Sequence, residues 1–423
     1  MNDAKQPRYR FLVRHPRLSY ASLVFAILLI PFLATSLSEA QTFTVLYSFS
    51  GAPDGGNPYG GLVMDTNGNL YGTTYDGGVT ACYPDGCGTV FRVDPTGKET
   101  VLYTFTGGAD GAYPTAGVLR VNGNLYGTTV GGGGSGFGTG LGLVFKVDKK
   151  GKETVLHTFT AAAGDGSYPW AGLVRDKAGN LYGATTQGGD LACGLLPPQG
   201  CGIIFKLDPI GNETVLHAFT GLDGAFPYAS LLRDSAGNLY GTTVMGGTSN
   251  GGTVFDVDNT DQFTLLHSLS KVAYSEGALL RDGKGNLYGT SYFGGDYDLG
   301  AVFKLDPAGN EYVLYSFKSL ADGLQPEAGL VRDRQGNLYG TTRLGGDLTC
   351  TANGSGCGTV FKIDRKGNHT VLHSFTLTDG AYPSSPLVQD KLGNLYGTAK
   401  GGGNPACQTG YAGCGTVFKL APQ

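Results

Sequence analysis

Six aspartates recur in one setting. Asp54, Asp110, Asp165, Asp223, Asp322 and Asp379 each open an Asp-Gly-x-x-Pro segment, and an aromatic precedes the proline in four of them: Tyr113, Tyr168, Phe226 and Tyr382. A carboxylate beside an aromatic ring can hold a sugar or a cation, the ring offering an apolar face and the carboxylate its acceptors. Asp-Gly and Pro are also ordinary turn chemistry, and a residue repeated this often reads first as scaffold. Positions that differ between copies carry more information. After successive Tyr-Gly-Thr-Thr motifs and their variants come Tyr75, Gln187, Tyr292, Arg343 and Lys400. They are candidate ligand contacts, set against neutral variation of an exposed loop. Glu276 and Glu327 are the carboxylates that break the pattern nearby. Two cooperating carboxylates are what a glycoside hydrolase needs.

Other candidates dissolve on comparison. His157, His217, His267 and His373 fill a slot held by Tyr47, Tyr103 and Tyr315 in other copies, so they read as packing aromatics. No Ser-His-Asp arrangement, metal-ligand cluster or phosphate loop is evident, so no catalytic residue, metal or cofactor is assigned. Arg120, Arg175, Arg233, Arg281 and Arg332 could ring a channel mouth and attract an anion; pairing with neighbouring turn aspartates is the simpler reading. The eight cysteines fall in four local pairs, Cys82-Cys87, Cys193-Cys201, Cys350-Cys357 and Cys407-Cys414. Both members of a pair are present or absent together in a copy. That selects one disulfide connectivity among 105, ahead of metal binding, since no histidine or further cysteine shares these loops.

These residues ride on a repeat. Gly-Asn-Leu-Tyr-Gly occurs seven times, starting at Gly68, Gly123, Gly179, Gly237, Gly285, Gly336 and Gly393. Each copy is followed by Gly-x-Val/Ile-Phe or a close variant and then by a Thr-Val-Leu-aromatic-x-Phe run. Short β-branched and aromatic runs bounded by glycine are strands. With an apolar pair such as Leu62-Val63 before each Gly-Asn motif, the repeat has four. Asp-x-x-Gly joins the first to the second and Asp-Pro-x-Gly or a relative the third to the fourth: tight turns of an antiparallel meander. The sheets are apolar on both faces and need cover on both. The predicted fold is therefore all-β: a seven-bladed β-propeller of four-stranded antiparallel blades, with an open β-solenoid as the alternative. The chain ends argue for closure. A lone fourth-type strand, 42–49, precedes the first full copy, and the last copy stops after its third-type strand, 415–420. The N-terminal strand is predicted to complete the last blade. Both kinds of tight turn then share one face of the disk, and the long variable loops share the other, the candidate binding face.

Residues 1–40 are different in kind. Lys5, Arg8, Arg10, Arg14 and Arg17 precede an apolar run, Ala21 to Ala34, and Ser38-Glu39-Ala40 offers a cleavage site. This predicts a signal peptide, 1–40, and one propeller domain, 41–423. Retention as an anchor is the alternative, against which the run is short for a spanning helix and is interrupted by Pro31. Composition fits an exported all-β protein: 73 glycines, 11% aromatics, 15% charged residues and net charge −4. That balance argues against nucleic acid and an anionic membrane surface as partners.

Gly-Asn-Leu-Tyr-Gly-Thr-Thr-x-x-Gly-Gly followed by Gly-Thr-Val-Phe-Lys resembles the Gloeo/Verruco tandem repeat of exported bacterial proteins, over essentially all of residues 42–420. The resemblance implies export and repeat architecture but no activity. Relatives often carry C-terminal surface anchors; this sequence ends at Gln423 without one. The expectation is a secreted, monomeric binding scaffold, with carbohydrate or a cell-surface polymer as partner, no nucleic acid, and no membrane contact after signal cleavage. A secreted polysaccharide hydrolase or lyase, or a purely structural surface protein, are the alternatives.

Overall fold

The computed structural model describes residues 41–421 except 80–81, 83–84, 135–139, 161, 163, 194–198, 351–353 and 408–411. The signal peptide expected over 1–40 lies outside the described residues. Among the described residues there is no helix. Seven four-stranded antiparallel sheets follow one another. The first blade runs Val63–Met64, Leu70–Thr74, Thr89–Val93 and Glu99–Thr104. The last pairs Val388–Gln389, Leu395–Ala399 and Thr416–Leu420 with Phe43–Ser48 from the start of the domain. The register sets Phe43 opposite Leu420 and Ser48 opposite Thr416, so the predicted closing strand is in place.

Hydrophobic burial closes the ring. Seven clusters of buried side chains are found among the described residues, one at each junction between neighbouring blades. An open array of seven blades would have six such junctions. The seventh joins Phe49 and Val417 of the last blade to Leu62, Leu70 and Phe91 of the first. One contact recurs: the phenylalanine after each fourth strand meets the next blade's third-strand phenylalanine edge-on. Examples are Phe49–Phe91, Phe105–Phe145 and Phe375–Phe418, with centroids 5.0–5.3 Å apart. Leu269 takes that place against Phe303.

The motif residues have distinct tasks. The glycine of Leu-Tyr-Gly lies under the third-strand ring: a Cβ on Gly72 would stand 2.7 Å from the Phe91 ring. The threonine after it ties blade to blade. Thr73, Thr128 and Thr290 donate to the carbonyls of Ala116, Ala171 and Ala328 at the start of the next blade, 2.8–3.0 Å away. On the turn face, each Asp-x-x-Gly-Asn-Leu-Tyr closes on itself. Asp65 accepts from the Asn69 amide at 3.0 Å and from the Tyr71 hydroxyl at 3.0 Å, and Asp176, Asp282, Asp333 and Asp390 repeat the pattern. Arg120 reaches Asp65 at 3.6 Å and Arg281 reaches Asp234 at 3.9 Å, so these two arginines pair with turn aspartates of the preceding blade.

Candidate functional site

The opposite face is built from the long connections. In every blade the residue before the proline, or its equivalent Tyr274, is left-handed: φ is 53° at Asn57, 58° at Tyr113, 56° at Tyr168, 59° at Phe226, 58° at Tyr274, 58° at Gln325 and 57° at Tyr382. Bulky residues avoid this region unless the surroundings over-determine it. Here they do. Each backbone N–H donates, at 2.8–3.2 Å, to the carbonyl just before the preceding blade's Gly-x-Val/Ile-Phe strand or its variant; Cys414, Cys87, Cys201 and Cys357 supply four of the seven acceptors. The carbonyls of Asn57, Tyr113, Tyr168, Phe226, Tyr274 and Gln325 accept from the residue that follows the second strand, at 3.0–3.2 Å. The four disulfides form as the repeat pattern requires, with Cα separations of 5.1–6.0 Å. They brace the segments that hold these bends.

The bend sends the next-but-one residue toward the ring axis. In blade order these are Tyr59, Thr115, Trp170, Tyr228, Glu276, Glu327 and Ser384, and all seven line one cavity of ≈ 700 Å³. This single repeat position is filled asymmetrically. Tyr59, Trp170 and Tyr228 form an aromatic arc, with centroids 6.3 Å apart for Tyr59–Trp170 and 5.5 Å for Trp170–Tyr228. Tyr75 stands 6.0 Å from Tyr59 and stacks on Tyr113 at 5.0 Å.

Blades five to seven supply a charged arc. Glu327 takes Arg343 at 3.0 Å and faces the Lys400 ammonium at 3.9 Å. Lys400 is 1% exposed and donates to the Tyr59 hydroxyl at 3.0 Å, which joins the two arcs. Arg343 also reaches the Tyr292 hydroxyl at 3.4 Å. Burial pushes the Glu276 carboxyl up to about 7, and the negative charge of Glu327 adds to the effect. Burial likewise lowers Lys400 to about 8, although Glu327 pulls the other way. The mouth thus holds one acid and one base whose titrations are both drawn toward the neutral range.

The aspartates of Asp-Gly-x-x-Pro are engaged inside their own loops. Asp54 accepts from the Tyr47 hydroxyl at 2.5 Å and the Ser50 hydroxyl at 2.6 Å. Asp110 and Asp322 take Tyr103 and Tyr315 in the same way, while Asp223 and Asp379 take the His217 and His373 rings at 2.9 and 3.0 Å. Asp165 takes Thr160. Tyr113, Tyr168 and Tyr382 are the left-handed residues themselves. Tyr292, Arg343 and Lys400 do meet at the mouth. Gln187 lies one position further on, bridged to Ser167; the counterpart of Tyr75 in that blade is Thr186. Sequence reasoning missed Tyr59, Trp170 and Tyr228. The signal was the position after each proline, or after Ser275 in its place, which changes from Tyr to Thr, Trp, Tyr, Glu, Glu and Ser while its neighbours repeat.

Seven four-stranded blades closed around a lined mouth make this chain a seven-bladed β-propeller. It belongs to the Gloeobacter/Verrucomicrobia repeat family, which matches residues 34–197, 86–281, 140–352 and 261–423. Among solved structures it is similar to the extracellular domain of the hybrid two-component system BT3049 of B. thetaiotaomicron, with 15% identity and a TM-score of 0.53 over 90% of this chain and 41% of that one. It is also similar to the extracellular domain of the one-component system BT4673 of the same organism, with 10% identity and a TM-score of 0.54 over 90% of this chain and 40% of that one. The chain therefore spans about two-fifths of each of those structures, and at this identity the likeness shows the fold alone. No curated protein matches the chain in sequence.

Proposed function

We propose that this protein is an extracytoplasmic binding propeller whose mouth holds a carbohydrate, free or as part of a surface polymer. The observation that carries the reading is the second position after the left-handed bend: constant in place, filled by five residue types in seven blades, and split into an aromatic and a charged arc. Sugar rings lay their C–H faces on aromatic side chains, and their hydroxyls need the donors and acceptors that Glu327 and Arg343 present. Four disulfides and the basic-apolar start support a working place in an oxidising compartment.

The test is a glycan array run beside an assay for reducing ends released from plant and bacterial polysaccharides. Binding without release is expected. Trp170→Ala is expected to weaken that binding about 10- to 100-fold, as loss of a buried aromatic anchor does. No binding to any glycan would overturn the proposal. One feature favours a second reading, a hydrolase or lyase: Glu276, its carboxyl pushed up to about 7, stands close enough to the Glu327 carboxylate to feel its charge. Release of reducing ends that Glu276→Gln abolishes would establish it.

A further inference from the structure

Between the outer strands of neighbouring blades a second position repeats, and among the described residues one copy gathers three candidate metal ligands; His267 also faces a glutamate, Glu311, but bonds it directly at 3.1 Å. The fifth residue of each fourth strand meets the first residue of the next blade's fourth strand. In two junctions a tyrosine meets a glutamate: Tyr47 with Glu99 and Tyr103 with Glu153. In two others a histidine stacks on a phenylalanine, His217 on Phe263 and His373 on Phe43, with centroids 3.6 Å apart. Those two histidines hydrogen-bond their loop aspartates directly, at 2.9 and 3.0 Å.

The junction between blades two and three is different. There His157 Nε2 stands 3.7 Å from Asp165 Oδ1 and 3.8 Å from Glu213 Oε2, and the three ligand atoms all lie within 4.8 Å of one another. These separations are too long for hydrogen bonds. The two distances from His157 are a few tenths of an ångström wider than the ~3.4 Å between ligand atoms bonded tetrahedrally at about 2.0–2.2 Å to one ion, and the two carboxylates would have to draw together around it. His157 Nε2 is buried without a hydrogen-bond partner. A buried imidazole nitrogen is rarely left unsatisfied without a reason. Asp165 is already aimed: Thr160 Oγ1 and its N–H hold Oδ2 at 2.6 and 2.7 Å, and the Gly166 N–H holds Oδ1 at 2.7 Å.

We infer that His157, Asp165 and Glu213 bind one divalent transition-metal ion of the zinc type. One imidazole nitrogen and two carboxylate oxygens suit zinc, whereas calcium and magnesium take all-oxygen sites. Three protein ligands leave a fourth position for water. The ion ties the outer strand of blade two to that of blade three. Blade two also lacks the loop disulfide carried by blades one, three, six and seven.

The experiment is zinc titration of the chelator-stripped, tag-free full chain by calorimetry, with calcium as the comparison ion. One equivalent is expected to bind at micromolar or tighter affinity, with calcium at least 100-fold weaker. His157→Tyr installs the residue that other junctions use at this place, so the ring stays folded while zinc affinity falls at least 100-fold. Glu213→Gln is expected to do the same, and His217→Ala to leave zinc binding unchanged. Absence of zinc binding, or binding that survives both His157→Tyr and Glu213→Gln in variants with wild-type circular dichroism, would overturn the assignment.

Discussion

On the turn face, Asp65, Asp176, Asp234, Asp282, Asp333 and Asp390 occupy one position in six blades, and each bonds the asparagine and tyrosine of its own Asn-Leu-Tyr segment. On the loop face, the position after the proline, or after Ser275 in blade five, reads Tyr59, Thr115, Trp170, Tyr228, Glu276, Glu327 and Ser384, all turned into a shared cavity. The same repeat makes both faces. Where each copy satisfies its own polar groups, nothing is left to bind with. Where the scaffold fixes the backbone and leaves the side chain unconstrained, one position can vary from blade to blade. Repetition therefore marks the frame, and departure inside a repeated position marks the site. Scaffold substitutions should leave binding unchanged while altering stability, and mouth substitutions should act on binding first.

The largest effect belongs to the frame at its closing point. Phe49 is fully buried, and its ring meets Phe91 across the junction that the N-terminal strand completes. Phe49→Ala is expected to cost about 3–5 kcal/mol, the usual range for a phenylalanine removed from a packed core. Denaturant unfolding measures it. A loss no greater than that of Trp170→Ala would mean that the ring does not depend on its seventh junction. A smaller effect is expected on the turn face. Asp234 accepts from three backbone N–H groups, the Asn238 amide and the Tyr240 hydroxyl. Asp234→Asn is expected to lose about 1–2 kcal/mol of stability while glycan affinity stays at the wild-type value. A fall in affinity without a fall in stability would erase the distinction between the faces.

Most of the frame was legible in the sequence because its causes are local. Short β-branched and aromatic runs, Asp-x-x-Gly turns and paired cysteines each act within a few residues. Closure was legible because the lone strand 42–49 and the unfinished last copy are complementary. The site was legible only in part. Tyr292, Arg343, Lys400, Glu276 and Glu327 stood out as departures and do meet. Tyr59, Trp170 and Tyr228 did not, because an aromatic beside a proline looks like packing until the left-handed bend before the proline is known to turn it inward. The Asp-Gly-x-x-Pro aspartates drew notice by recurring, and their bonds with Tyr47, Tyr103, Tyr315, His217 and His373 depend on a pairing between loop and strand that spacing alone does not reveal. The His157–Asp165–Glu213 cluster was hidden for the same reason. Glu213 comes from the next blade, 56 residues on from His157.

The smallest expected effect sharpens the comparison most, because it separates the mouth's charge from its shape. Glu276 is held protonated up to about 7 by burial, with Glu327 adding to the effect and Lys400 and Arg343 opposing it. Its folded value lies above the ordinary glutamate value of 4.5, so the folded protein keeps a proton that the unfolded chain releases. Stability from this group is therefore fully present below about pH 4.5 and is lost as pH rises through 7. Glu99 and Glu153, pushed up to about 7 chiefly by burial, act in the same direction from the outer junctions, so the stability profile alone does not isolate the mouth. Ligand affinity does. Protonated Glu276 can donate a hydrogen bond to a sugar hydroxyl; ionised, it can only accept and adds a second negative charge beside Glu327. Affinity for a neutral glycan is expected to fall roughly 3- to 10-fold from pH 6 to pH 8, the worth of about one hydrogen bond. Glu276→Gln keeps a donor at every pH and should flatten that profile, while Glu99→Gln should leave it as steep as in the wild type. A Glu276→Gln profile as steep as the wild type would move the titrating group elsewhere in the mouth, with Lys400, lowered to about 8, the next to test.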